Sequence, residues 1–357
     1  MKRTFLRPTA FVDSPFGFDG QVARLAGGLN WFAAVELTHW DGGRRTASEL
    51  VPVSEIERRL DDSTVAQWQA IAAARAPLQL GERMIRLDQP QVMGIVNATP
   101  DSFSDGGRFA SASDAAAAGA DMAAEGAAII DVGGESTRPG ARTVWAGDEI
   151  ERTIPIVQQL SAGGAAVSID TRKAEVMQAA IGAGARLIND VSGLTYDDNA
   201  LATAASLGVP LILMHHQGSP ETMQQDPRYA DVLIEVYLWL EERVAAAVAA
   251  GISHDRILID PGFGFGKNVG HNLEIMNGLA MLHGLGCPIV LGTSRKRTIG
   301  ALANEVSADR RLGGSIAFAL KAVEQGAQIV RVHDVPETVQ ALKIWRGLRD
   351  QALTPRL

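Results

Sequence analysis

The stretch Gly94-Ile95-Val96-Asn97-Ala98-Thr99-Pro100-Asp101-Ser102-Phe103-Ser104-Asp105-Gly106-Gly107 decides the fold. An apolar run from Val92 to Val96 stops at Asn97, a loop of Thr, Pro, Ser, Asp and Gly follows, and an Ala-rich helical pattern begins near Ser113. The unit is strand, polar loop, helix, with the polar side chains gathered where the strand ends. Parallel α/β folds build their sites at the carboxyl ends of strands, so this loop is a candidate part of one.

Outward from that stretch the unit recurs. Apolar runs end at Val96, Ile130, Ile169, Ile188, Met214, Ile259, Leu291 and Val332, with helical patterns between them at 113–125, 148–160, 172–183, 230–250, 272–282 and 310–325. Gly126, Gly184, Gly208, Gly251, Gly286 and Gly326 fall just beyond these patterns, where a C-cap glycine belongs. The runs are short, continuous and rich in Ile, Val and Leu, as parallel strands buried on both faces require. Eight such units predict a (β/α)8 TIM barrel over residues 91–357, close to the roughly 250 residues usual for that fold. An open doubly wound sheet is the alternative, but no Gly-x-Gly-x-x-Gly turn follows the first strand.

Residues 1–90 read as a separate small α+β domain. Three of the six tryptophans, Trp31, Trp40 and Trp68, lie here, which argues for a packed unit. Strand formers run from Leu29 to Trp40, Asp41-Gly42-Gly43 is a hairpin signal, and a second strand should end near Val53. Ser54-Glu55-Ile56-Glu57 fits a capping box opening a helix to about Arg59, and a further helix is expected over 63–75, stopped by Pro77. No catalytic constellation stands out in this segment. His39 and Asp41 read as polar residues beside a turn.

Composition narrows the function. The formal charge is −8, from 33 basic and 41 acidic residues, which argues against a general nucleic-acid binder. Residues 1–90 carry 11 of each sign, so the acidic excess belongs to the barrel segment, and a phosphate bound there must be met by local cations. The single cysteine, Cys287, precedes an apolar strand and reads as a small buried hydrophobe. No run approaches the roughly 18–20 apolar residues of a membrane span, and no apolar segment follows the basic N-terminus, so a cytoplasmic protein is expected.

The eight strand ends carry Asn97, Asp131, Asp170, Asn189, His215, Asp260, Ser294 to Lys296, and Arg331 with His333. Any one could be a cap or a satisfied buried polar group. Eight of eight, brought around one pocket by a closed barrel, make a site. Asp170, Asn189, Asp260 and Lys296 are few and mixed in sign, and suit a neutral heterocycle dense in hydrogen bonds. Asn97, Thr137, Arg138, Arg331 and His333 suit an anion such as pyrophosphate. Arg138 stands in the Gly-rich loop Gly133-Gly134-Glu135-Ser136-Thr137-Arg138-Pro139-Gly140, and Asn97 offers an oxygen of the kind Mg2+ accepts alongside phosphate oxygens and water. Met214 and Phe265 are ordinary core residues unless the ligand is flat and aromatic. The run Gly262 to Lys267 has the wrong glycine spacing for a phosphate loop and is followed by Asn268. His215-His216 lacks a nearby third ligand for a metal.

Together these strings resemble the dihydropteroate synthases, folate-pathway enzymes of the pterin-binding barrel superfamily. The resemblance runs from residue 91 to about 345. It rests on the first loop, on Ile130 through Pro139-Gly140, on Asp170-Thr171-Arg172-Lys173, Ile188-Asn189-Asp190-Val191, Asp260 through Lys267, Ser294-Arg295-Lys296 and Arg331-Val332-His333-Asp334-Val335. It implies a Mg2+-dependent transferase, typically dimeric, joining 6-hydroxymethyl-7,8-dihydropterin diphosphate to 4-aminobenzoate. It implies that Asp170, Asn189, Asp260 and Lys296 hold the pterin with Met214 and Phe265 lining its pocket. Asp131 would join this substrate-binding set. The diphosphate would fall to Asn97 with the metal and to Thr137, Arg138, Arg331 and His333. Phe103, Asp105 and Pro139 would form the aminobenzoate site, Asp105 stabilising a cationic intermediate. Catalytic roles then fall to Asp105, Arg138, Lys296, Arg331 and His333. The chain departs from the pattern at His216, often Met in the family, and in its first 90 residues.

Three other classes compete. A pterin-dependent methyltransferase would share barrel and ring set but has no use for the anion subset. An inactive pterin-binding scaffold would have lost motif residues, and those quoted are present. A bifunctional protein would need a constellation in residues 1–90.

Overall fold

The computed structural model describes residues 2–98, 111–136, 143–218 and 222–354. Phe103, Asp105, Thr137, Arg138 and Pro139 lie outside these described residues.

The N-terminal segment opens with a strand that the sequence reading did not anticipate, β1 (Arg3–Val12). It is followed by β2 (Ala23–Arg24), β3 (Trp31–Asp41) and β4 (Arg44–Pro52). β3 is central, antiparallel to β1 along nearly its whole length and to β4 through the Gly42-Gly43 turn. Both turn glycines have positive φ, +58° and +79°, the requirement of a tight two-residue hairpin that follows strand twist. The expected capping box at Ser54 is not formed. Residues Val53–Arg58 are a 3-10 turn entered from Pro52 with no side-chain cap. The box lies instead at Asp61, whose carboxylate accepts from the Ser63 and Thr64 amides at the start of helix Asp62–Ala72. One face of the sheet packs on this helix through Leu6, Phe32, Val35, Leu37 and Ile71. The other lies on the barrel, where Phe5 meets Tyr237 edge-on at 5.1 Å.

A hairpin, β5 (Leu78–Leu80) and β6 (Arg83–Ile85), joins the two parts. Leu78, Leu80, Ile85 and Leu87 are buried against early residues of the barrel strands, among them Met93, Ile129, Leu187, Leu258 and Ile329. The hairpin therefore fills the N-terminal mouth of the barrel.

The barrel strands are β7 (Gln91–Asn97), β8 (Ile129–Gly133), β9 (Val167–Asp170), β10 (Leu187–Asp190), β11 (Leu211–Met214), β12 (Ile257–Asp260), β13 (Val290–Leu291) and β14 (Ile329–Val332). They run parallel in the order β12-β11-β10-β9-β8-β7-β14-β13. An Ile259–Ile289 bridge joins the two ends, with the Ile259 amide donating to the Pro288 carbonyl at 2.9 Å. That closure separates a barrel from an open sheet.

The helices match the patterned segments to within a few residues. The pattern at 272–282 divides into helix Val269–Gly278 and 3-10 turns at Leu279–Leu285. Helices Ala200–Leu207, Arg297–Leu302 and Val335–Ala352 complete the outer ring. Gly126, Gly184, Gly208, Gly251, Gly286 and Gly326 all have positive φ, as helix-terminating glycines should. Cys287 is fully buried, and burial pushes its thiol up to about 12. Among the described residues no helix is long and apolar enough to cross a membrane.

Candidate active site

Strand register sets the floor of the pocket. Asn97 is the Cα partner of Gly133, Gly133 of Asp170, and Asp170 of Asn189, so these four stand side by side at the ends of β7 to β10. A Cβ at Gly133 would sit 3.3 Å from that of Asp170, a tight approach that glycine relieves. Asp131, two residues before Gly133, is completely buried within the barrel.

Arg331 binds these carboxylates together. Its Nε donates to Asp131 Oδ2 and its Nη2 to Asp170 Oδ2, each at 2.6 Å. Asn189 Nδ2 donates to the same Asp131 oxygen at 3.0 Å. Arg331, assigned from sequence to an anion, is thus joined directly to Asp170 and through Asp131 to Asn189, both assigned to a ring. Burial pushes the Asp170 carboxyl up to about 7, Arg331 opposing and the Asp131 charge adding to the rise. Burial opposes protonation of Arg331, but Asp131 and Asp170 outweigh it and raise its pKa. Asp131 Oδ1 is buried and accepts no hydrogen bond among the described residues. A buried carboxylate oxygen without a donor is costly, and Arg331 and Asn189 satisfy only the other oxygen.

The opposite wall comes from β11, β12 and the residues after β13. Met214, buried at the end of β11, is the Cα partner of Asp260. Burial raises the Asp260 carboxyl, with Lys296 and the Gly262 amide, 2.7 Å from Oδ1, opposing. Lys296 Nζ donates to the Phe263 carbonyl and lies 4.6 Å from the ring centre of half-buried Phe265. Burial lowers its pKa to about 8 against the pull of Asp260. His333 stands at the far end of β14, its Nδ1 3.1 Å from Ser294 Oγ.

Three features escaped sequence reasoning. Lys267, dismissed with the false phosphate loop, is buried and makes contacts of 2.8 Å to His215 Nδ1, 3.0 Å to the Gly262 carbonyl and 2.9 Å to the Phe265 carbonyl. It ties the connection after β12 to the one after β11. Asp190 is buried and accepts from the Ser192 amide and hydroxyl, both at 2.6 Å, and from the Leu194 amide; burial still pushes it up to about 6. Glu135, Arg172, Lys173 and Glu149 form a buried ion cluster, with Arg172 Nε to Glu135 at 2.9 Å and Lys173 Nζ to Glu149 at 2.6 Å. The Asp-Thr-Arg-Lys string was visible in the sequence, but charge alone does not say that a residue is buried. His216, half-buried, contacts the Trp239 ring edge-on at 5.8 Å and the Gly218 carbonyl at 3.1 Å.

A closed parallel barrel with buried carboxylates, amides and cations at its strand ends is the architecture of a small-molecule site. The sequence matches the family model described as pterin binding enzyme over residues 93–333, and the chain belongs to that family. Within it, the chain groups with the dihydropteroate synthases. The dihydropteroate synthase of Escherichia coli strain K12 is 48% identical over 259 residues, covering 72% of this chain and 91% of its own length. That of Neisseria meningitidis serogroup B is 46% identical over 280 residues, covering 77% of this chain and 98% of its own. The solved structure of the Xanthomonas albilineans dihydropteroate synthase with 4-aminobenzoic acid superposes with a TM-score of 0.73 at 46% identity, over 79% of this chain and all of that one.

Proposed function

We propose that the barrel displaces pyrophosphate from 6-hydroxymethyl-7,8-dihydropterin diphosphate with 4-aminobenzoate, giving 7,8-dihydropteroate in folate biosynthesis. The observation that carries this reading is the network of Asp131, Asp170, Asn189 and Arg331, with its unsatisfied Asp131 oxygen. The amino and ring N–H groups of a pterin are donors suited to buried carboxylates such as Asp170 and Asp260. Asp170 and Asp260 accept from the ring, while Asn189 and Lys296 donate to its oxygen and nitrogen acceptors. Met214 and Phe265 flank its faces. Arg331 and His333, with Thr137 and Arg138, meet the diphosphate.

The exocyclic C–O bond breaks, pyrophosphate leaves with the electron pair, the arylamine nitrogen bonds to the carbon, and the amine loses a proton. The pterin delocalises positive charge at the exocyclic carbon, so departure can precede attack, with Asp105 assigned to that cation. Fixed cations around the leaving group supply the main electrostatic stabilisation. The arylamine is already nucleophilic and needs no strong base.

The donor set fits Mg2+. The described residues hold no cluster of three His, Cys, Asp or Glu that would make a protein-only cage. Asn97, half-buried at the end of β7, offers the single amide oxygen that a phosphate-bound Mg2+ accepts. Asn97 would hold the ion, which would supply charge neutralisation for a phosphate leaving group.

We place the boundary of the catalytic domain before the hairpin, near Pro77, and not at residue 90. The hairpin packs under the barrel, and the Neisseria relative matches 77% of this chain, more than the stretch from Gln91 to Leu357. A homodimer and a cytoplasmic location complete the proposal.

The test is pyrophosphate release from the dihydropterin diphosphate, with and without 4-aminobenzoate and Mg2+. Release dependent on both is expected. Pterin binding without release would point to a binding module or a pterin-dependent methyltransferase.

A further inference from the structure

The N-terminal sheet lies outside the family match, yet it reaches the connection that leads from the ring pocket into helix Val232–Ala249. Arg45 of β4 donates from Nε to Asp231 Oδ2 at 3.1 Å, and its Nη2 forms an ion pair with the same oxygen at 3.0 Å. Asp231 is buried and its other oxygen, Oδ1, accepts from the Ile234 amide at 3.1 Å as the N-cap of that helix. One carboxylate therefore does two tasks, capping the helix and receiving the N-terminal domain. Glu274 is close by; burial raises its carboxyl, Asp231 adds to the rise and Arg45 opposes it. Without Arg45, Asp231 would lose this ion pair. Arg3 to Glu241 and Arg7 to the Asn277 carbonyl dock the same sheet on the same pair of helices.

From Asp231 the contacts run inward. Two residues earlier, the Tyr229 hydroxyl donates to the Gly266 carbonyl at 2.8 Å, and its ring packs edge-on against His271 at 5.0 Å. Gln224 Nε2 donates to the Gly264 carbonyl at 2.6 Å. Gly264 to Lys267 is the segment that presents Phe265 to Lys296 and holds His215, the neighbour of Met214. We infer that the N-terminal sheet is a brace for the ring pocket, and that Arg45 is its positioning residue, acting through Asp231 and Tyr229 on the walls contributed after β11 and β12. This rests on assigning the pterin to those walls.

The experiment uses the full chain carrying Arg45→Met, with calorimetric affinity for 6-hydroxymethyl-7,8-dihydropterin and KM for both substrates. The expected result is pterin affinity weakened about three- to tenfold, inside the roughly two- to thirtyfold span of coupling through a packed chain of residues. KM for the diphosphate substrate rises in parallel while KM for 4-aminobenzoate holds. Arg45→Lys restores most of the affinity, and Asp231→Asn, which keeps the capping oxygen but loses the charge, reproduces Arg45→Met. Unchanged pterin affinity in folded Arg45→Met and Asp231→Asn, or equal losses for both substrates, overturns the inference. Calorimetry needs no turnover, so it decides on Arg45 even if wild type releases no pyrophosphate, a result that counts against the synthase reading alone.

Discussion

Arg331 donates to Asp170 at 2.6 Å across the mouth of the barrel, joining β14 to β9, three places away in the sheet. The same guanidinium holds Asp131. Removing it leaves two buried carboxylates in one pocket, which the protein relieves by protonating one of them. Arg331→Ala should weaken the diphosphate substrate more than free pterin, by at least about tenfold, while weakening both. It should also move the acid limb of the pH profile upward, because the cation that opposes the Asp170 rise is gone. Calorimetry with both ligands and a pH series check this.

The wild-type profile itself should be narrow. Asp170 sits at about 7, so below that pH it gains a proton and loses acceptor strength. Lys296 sits at about 8, so above that pH it loses its charge. kcat/KM for the pterin substrate should therefore fall on both sides of a maximum between the two. Lys296→Arg should abolish the alkaline limb and keep the acid one, since arginine stays charged.

Gly262 has φ +67°, and a Cβ there would lie 1.8 Å from the His215 carbonyl oxygen, a backbone atom that cannot swing aside. Gly262→Ala should cost about 3 kcal/mol or more and abolish pterin binding by parting the two connections that Lys267 ties. Gly164, at φ +77° with open space around it, supplies the control: Gly164→Ala carries backbone strain alone and should cost about 1 kcal/mol. Urea midpoints measure both.

Leu80→Ala tests the hairpin beneath the barrel. Leu80 is 2% exposed, and its truncation should cost about 2–5 kcal/mol. Turnover measured well below the unfolding transition should stay near wild type, because the site is at the opposite end. Denaturant unfolding and initial rates separate the two effects.

The barrel was legible because its physics is local. Buried parallel strands need unbroken Ile, Val and Leu, and each run stops where a polar side chain such as Asp170 or Asp260 takes over. β1 was not legible: Arg3, Arg7 and Pro8 interrupt its apolar residues, and only pairing with β3 makes it a strand. Ser54 failed as a cap because Pro52 leads into a tight 3-10 turn. Lys267 and Asp190 were invisible as buried groups, since their partners, His215 and the Ser192 and Leu194 amides, are set by the fold. The link through Arg331 was equally hidden, as it spans strands far apart in the chain.

With Leu78, Leu80, Ile85 and Leu87 packed into its N-terminal end, the barrel is closed to ligands there among the described residues, and that shapes traffic as well as stability. On the proposed assignment, a heterocycle seated on Asp131, Asp170 and Asn189 would occupy the innermost berth and would arrive first. The amine then queues behind it, and the joined product retires by the route along which its bulkier half came in. Steady-state kinetics should accordingly show a compulsory order of arrival, with free 4-aminobenzoate unable to take its place until the pterin is aboard.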